Sequence, residues 1–156
     1  MPRVKEFLLK NYPSISAKES LESAIDLLLN PDLPPQERAD CLVALDTEGR
    51  AAGLINAWLV LSALAVGAGK EEEPAVDALM RDRVKLPVTA AMATEFPVAH
   101  PDDDLLDTLG LLGANYFECL PVMKDGVYLG AVRTIDIFQA MAEEVLSSGG
   151  GVFTEG

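Results

Sequence analysis

Residues 124–141 read KDGVYLGAVRTIDIFQAM. An Asp-Gly turn signal leads into a short apolar run and then into apolar residues at helical spacing. The stretch therefore predicts a turn, a strand and the start of a helix. Arg133, Thr134 and Asp136 fall where strand gives way to helix. Thr134 is a residue type that caps helices, and a carboxylate in a first turn can accept amide hydrogen bonds. The same carboxylate can accept from sugar hydroxyls, and Arg133 can pair with it or reach a phosphate. The cluster reads either as a helix start or as a ligand site.

A weaker copy of the stretch occurs earlier. LVALDTEGRAAGLI, residues 42–55, aligns with CLPVMKDGVYLGAV, residues 119–132, so that Gly49 meets Gly126 and Gly53 meets Gly130. Further upstream, VKEFLLKNYPSISAKESL, residues 4–21, aligns without a gap with VTAAMATEFPVAHPDDDL, residues 88–105. The first pairing has an offset of 77 and the second of 84, so the first half carries extra residues. The Pro-rich segment NPDLPPQ, residues 30–36, is the natural loop to hold them. Two repeats are too few for a solenoid and predict a closed pair sharing one core.

Each half has the same order of elements. A short turn or helix around residues 5–10 and 89–93 precedes an extended piece near residues 14–16 and 98–100. SLESAIDLLL then places Leu21, Ala24, Ile25 and Leu28 on one helical face, with Ser20 as its cap. DDLLDTLGLLGA does the same with Leu105, Leu109 and Leu112, and Asp102, Asp103 and Asp104 suit the positive end of that helix. A strand pair and a final helix follow, so each half is a β-α-β-β-α unit of an α/β fold. The boundaries read as a first repeat over 2–69, a charged linker over 70–87 with a short helix from Pro74 to Arg81, a second repeat over 88–146, and a flexible tail over 147–156. The first final helix, WLVLSALAV, is apolar nearly all round and needs cover from the other half or from a second chain.

Gly53 and Gly130 precede the strand-to-helix junctions, where a missing side chain permits close backbone approach by a ligand or a packed element. Downstream of Gly53 stand Asn56 and Leu59. Asn56 can cap, but Leu59 cannot do the work of a carboxylate. The two junctions are expected to be chemically unequal, with the second the better site.

Composition narrows the field. Of 156 residues, 49% are apolar and 24% charged, a globular balance. Twelve basic residues against 25 acidic ones give a net charge of −13, which argues against non-specific binding of nucleic acid or anionic membranes. Cys41 and Cys119 sit in apolar runs and read as buried thiols, without metal-site spacing. His100, the one histidine, reads as a surface residue. Residues 51–69 carry no charge over 19 positions, but their glycines, Asn56 and Ser62 argue against a membrane span. No signal peptide is evident, and a cytoplasmic protein is the default expectation. No nucleophile, base and orienting group stand at a triad's spacing, so no catalysis is expected.

The repeat resembles a tandem cystathionine-beta-synthase (CBS) domain pair, or Bateman module, over roughly residues 2–145. The second half carries the resemblance in VTAAM, PDDDLLDTL and LPVMKDGVYLGAVRTIDIF, with Pro121, Gly126, Gly130 and Asp136 on the family pattern. In the first half Gly49 and Gly53 match, and Ala44 stands for the usual proline. The resemblance implies two units packed through their sheets as a pseudo-twofold pair. It also implies a regulatory module without a required cofactor, whose ligand is AMP, ADP, ATP or S-adenosylmethionine. Asp136 would then hold ribose, Val98, Leu120, Pro121 and Val122 would surround the base, and Thr89 would approach from the other side. Arg133 stands at the family's Ser/Thr position, with Thr134 one residue later; it either welcomes phosphate or closes the cleft by an ion pair. The resemblance further implies a homodimer through the final helices and an effector protein as output. A ligand-free dimerisation or interaction module is the alternative reading, and divalent-metal sensing through Asp102–Asp104 and Glu71–Glu73 a third.

Overall fold

The first strand pair forms because Cys41–Leu45 (β2) and Ala51–Asn56 (β3) are short apolar runs separated by an Asp-led turn. Asp46 closes that turn by accepting from the amides of Glu48 at 2.8 Å and Arg50 at 3.0 Å. The second pair, Cys119–Lys124 (β4) and Val127–Arg133 (β5), turns through Asp125 and Gly126, both with positive φ, 53° and 79°. Two successive positive φ values are the turn that matches strand twist. The computed structural model describes residues 2–34, 37–65, 73–112 and 117–148.

Ser14–Ser16 (β1) adds to β2 in parallel, giving a sheet of order β1-β2-β3. In the second half the matching piece is a single bridge, Ala99 parallel to Val122, beside the β4-β5 pair. Leu21–Leu29 (α1) starts at Ser20, whose hydroxyl accepts from the Ser23 amide at 3.2 Å. Leu105–Leu112 (α4) starts at Asp104, which accepts from the Leu106 amide at 2.8 Å. Ala57–Ala65 (α2) and Thr134–Ser148 (α5) follow the two hairpins, and Glu73–Arg83 (α3) lies between the repeats. The uncharged run from residue 51 is thus split between β3 and α2, and no described helix is long and apolar enough to cross a membrane. Of the tail expected to be flexible over 147–156, Ser147 and Ser148 are instead the end of α5, and residues 149–156, like Val66, Glu71 and Glu72, lie outside the described residues.

The pseudo-twofold relation extends to individual bridges. Ile15 pairs Ala44 as Ala99 pairs Val122, and Ala44 pairs Gly53 as Val122 pairs Gly130. The offset is therefore 78 in β2 and β4 but 77 in β3 and β5. The residues between the Leu45–Ala51 and Met123–Tyr128 pairs explain it: residues 46–50 on one side and 124–127 on the other. Val43, and not Ala44, is consequently the counterpart of Pro121. Cys41 and Cys119 are counterparts too, both fully buried.

Each repeat's leading segment crosses to the other repeat. One-turn 3-10 helices form at Val4–Phe7 and Val88–Ala90, a little earlier than expected. Val4 packs with Leu105, Leu120, Val132 and Ile137 of the second half, while Val88 packs with Leu21, Leu42 and Ile55 of the first. Leu9 bridges Ala131, and Ala93 bridges Leu54. The glycines make room for this crossing. A Cβ on Gly130, whose φ is +150°, would lie 2.4 Å from the Leu9 carbonyl oxygen; one on Gly53 would lie 2.6 Å from the Met92 sulfur. A third core, around Tyr12, Cys41, Val43, Leu54, Cys119 and Ala131, joins the two sheets.

Candidate functional site

At the second junction β5 ends in Arg133 and α5 begins with Thr134. The Thr134 amide and hydroxyl both donate to the Glu118 carbonyl, at 3.1 and 3.2 Å, fixing the helix start beside the entry to β4. Asp136 then lies in the first turn facing back. Arg133 Nε donates to Asp136 Oδ2 and Nη2 to Oδ1, both at 2.8 Å, a two-bond fork. The side chains are 35% and 24% exposed. The Asp136 hydrogen bond raises the Arg133 pKa, and the carboxylate of Asp40 adds to the effect. The guanidinium is charged throughout the accessible pH range.

Arg133 lines a cleft of about 330 Å³ closed by residues 8–13 and 37–39. Lys10, Arg38 and Arg133 stand in its wall with a single acid, Glu37. Basic side chains thus outnumber acids in the wall of a chain of net charge −13, with Asp136 and Asp40 offsetting the charge of Arg133. Arg38 is tethered by its Nε to the Leu33 carbonyl at 3.0 Å. Tyr12, also in the wall, is held inward by a hydrogen bond from its hydroxyl to the Cys41 carbonyl. Burial pushes the Tyr12 hydroxyl's pKa up, so it stays a neutral donor.

The first junction is built differently. Asn56 accepts from the Leu59 amide at 2.9 Å, capping α2, and its amide nitrogen donates to both Glu118 carboxylate oxygens at 3.3 Å. Leu59 packs on the first core. Asn56 thus reaches the acid just before the other repeat's β-pair, whereas Arg133 is bonded to Asp136 and feels Asp40, the counterpart of Glu118, through electrostatics alone.

Residues 76–143 match the family model of the CBS domain. Solved structures extend the likeness over both repeats. A CBS domain-containing protein of unknown function from Bacillus anthracis superposes with a TM-score of 0.70 at 17% identity, covering 93% of this chain and 96% of that one. The CBS domain pair of protein MJ0100, in complex with methylthioadenosine and S-adenosyl-L-methionine, gives 0.69 at 19% identity, covering 92% and 98%. CBSX2 in complex with AMP gives 0.68 at 19% identity, again covering 92% and 98%. No curated protein sequence matches the chain. The chain has the fold of a tandem CBS-domain pair, and the CBS family model matches its later part.

Within the CBS pair, the structure brings Arg133, Thr134 and Asp136 together at one corner. Leu120 and Val122 are fully buried in the second core, and Pro121 is buried beside them. Val98 is half-buried, next to the Ala99–Val122 bridge. Thr89 is exposed on the 3-10 turn that packs against the first repeat, so it belongs to the neighbourhood of the first hairpin. The cleft wall at residues 8–13 and 37–39 was not anticipated from sequence. The basic residues Lys10 and Arg38 were its one available signal. Among the described residues no group of three or more His, Cys, Asp or Glu could hold a metal ion. Asp102 pairs with Lys5 at 3.0 Å and Asp103 accepts from the His100 amide at 2.9 Å, so these acids serve the α4 start and the crossing segment.

Proposed function

We propose that this CBS pair is a regulatory module that takes an adenosine phosphate into the cleft beside Arg133 and passes the signal on by association. The observation that carries the reading is the Arg133–Asp136 fork at a cleft whose wall also holds Lys10 and Arg38. Exchange of the fork frees both halves for a ligand: the carboxylate for ribose hydroxyls, the guanidinium for phosphate. The fork is partly solvated, so its internal attraction is modest and a ligand offering both chemistries can replace it. AMP bound to CBSX2, and adenosine ligands bound to the MJ0100 pair, support the ligand class. The positive wall favours AMP, ADP and ATP over S-adenosylmethionine, whose sulfonium it repels.

The test is a thermal-shift titration with these four compounds on wild type, Asp136→Ala and Arg133→Ala. Ligand that prefers the folded state raises the midpoint by mass action. We expect a saturable rise with the phosphates, lost in Asp136→Ala. Arg133→Ala should weaken ATP more than AMP. No rise with any of the four sinks the reading and leaves the fork as a closed lock. A ligand-free interaction module is then the better description, and the intact Arg133–Asp136 pair is the observation in its favour.

The route for output is an apolar face. Trp58 and Leu61 on α2 are 73% and 58% exposed, and their counterparts Ile135 and Phe138 on α5 are 57% and 68% exposed. Under a twofold, each exposed helix face can be covered by a second copy of itself or of its counterpart, which favours a homodimer. Sedimentation equilibrium should show a dimer at micromolar concentration, converted to monomer by Trp58→Glu with Phe138→Glu. A wild type that stays monomeric overturns the dimer. An effector protein would read the same face or its edges.

A further inference from the structure

Cys41 and Cys119 open the equivalent strands β2 and β4, and neither has any solvent exposure. They share one packed cluster with Tyr12, Val43, Leu54 and Ala131, where the two sheets meet. Their neighbours bracket them closely. The β3 partner of Cys41 is Asn56, whose side chain reaches Glu118, the residue before Cys119, at 3.3 Å. The Tyr12 hydroxyl donates to the Cys41 carbonyl and also meets the Cys119 thiol. The two thiols are hydrogen-bonded to each other, and the Cys119 amide donates to the Cys41 sulfur. The Tyr128 hydroxyl is enclosed beside both sulfurs and has no hydrogen-bond partner among the described residues.

We propose that Cys41 and Cys119 form a reversible disulfide that locks the two repeats together across their pseudo-twofold axis. The sulfurs already touch, and each stands on the strand that carries its own repeat's core. In the closed pair, the hydrogen bond to the Cys119 thiol and then burial push the Cys41 thiol's pKa well above its ordinary value, so this sulfur is protonated and shielded. The reaction therefore begins when the seam opens locally. The unpaired Tyr128 hydroxyl makes the seam less well satisfied than a purely apolar core, which favours opening there. A peroxide oxidises one exposed thiol to a sulfenic acid and is itself reduced to water. Reclosure returns the other sulfur to contact. It attacks the sulfenic sulfur, forms the S–S bond and releases a second water, so two protons and two electrons have passed from the thiols to the peroxide. Exchange with a small dithiol reverses the step. The bond closes a loop from residue 41 to residue 119, long enough for a large restriction of the unfolded chain. The lock stands whether or not a nucleotide binds beside Arg133.

Reduced full-length protein is held in native buffer with hydrogen peroxide, and its cysteine peptides are followed by mass mapping. The expected product joins the Cys41 and Cys119 peptides within one chain and separates again with dithiothreitol. Its thermal midpoint should stand above that of the reduced protein by about 5 °C or more. Cys41→Ala should abolish both the link and the rise. Because opening sets the rate, Gly53→Ala, which crowds the Met92 side chain of the crossing segment, should link at least threefold faster than wild type. Thiols that survive peroxide in native buffer and react only in urea overturn the proposal. So do sulfinic acid as the end product, a disulfide between two chains, a linked protein that melts below the reduced one, or a Gly53→Ala rate equal to that of wild type.

Discussion

Asn56 and Arg133 hold the same corner of the two repeats and do opposite work. Asn56 turns inward along its own helix, capping α2 and reaching Glu118 across the pair. Arg133 binds the first turn of α5 through Asp136 and leaves its guanidinium on the wall of a cleft. The difference shows how a duplicated fold separates structural from chemical duty. A neutral amide caps the helix at one end, while the other end holds an ion pair. The backbone below the two corners is the same, bridge for bridge, including a register shift just after each glycine pair.

The largest effect should come from breaking that shared backbone where it is tightest. Gly130→Ala places a methyl against the Leu9 carbonyl oxygen and adds a left-handed backbone conformation that alanine resists. The clash is with main chain, which cannot step aside without releasing the Leu9–Ala131 bridge. A loss of about 3–5 kcal/mol in urea unfolding is expected. Gly53→Ala should cost about 1–3 kcal/mol, because its nearest obstacle is the flexible Met92 side chain, though the Ala93 carbonyl oxygen at 2.9 Å limits the relief. Equal losses at the two positions would mean that the crossing segments are held equally, contrary to this geometry.

Asn56→Ala should cost about 1 kcal/mol, the usual scale for a lost helix cap. Its partner at the other corner, Arg133→Ala, should change stability less, since a partly exposed ion pair is screened by water. The comparison reverses for ligand affinity, where Arg133 should matter and Asn56 should not. A stability ranking with Arg133 above Asn56 would show the fork to be structural.

Much of this was legible in the sequence, and the failures have physical reasons. Ser20 as a cap, the acidic start of α4, the two hairpins and the inequality of the junctions follow from local chemistry, and local chemistry is what residue patterns carry. The crossing of Val4 to the second core and Val88 to the first is a choice between two similar apolar surfaces, and nothing in either segment's own pattern records it. For the same reason residues 8–13 were missing from the expected site. The slip that paired Ala44 with Pro121 came from placing the one-residue difference outside the hairpin, when the longer turn at residues 46–50 contains it. Whether Arg133 pairs with Asp136 was open because both partners were visible but their distance was not.

The smallest expected effect separates the hairpins themselves. Asp46 organises the first turn through the Arg50 amide foremost, with the Glu48 amide and the Arg50 guanidinium adding to it, and these hold its carboxyl below the ordinary value. The second turn is set by backbone conformation at Asp125 and Gly126. A carboxyl depressed in the folded state contributes stability that is present above its unfolded pKa and is lost as pH falls through the folded value. The first hairpin should therefore loosen below about pH 4, with amide exchange at Glu48 and Arg50 accelerating before that at Gly126. Asp46→Asn keeps an acceptor for the two amides but removes the charge. Its deficit against wild type should be visible at pH 7 and should close as the pH falls, because both side chains are then neutral. A deficit that stays constant down to pH 2.5 would mean that the charge contributes nothing and that shape alone holds the first turn, as it does the second.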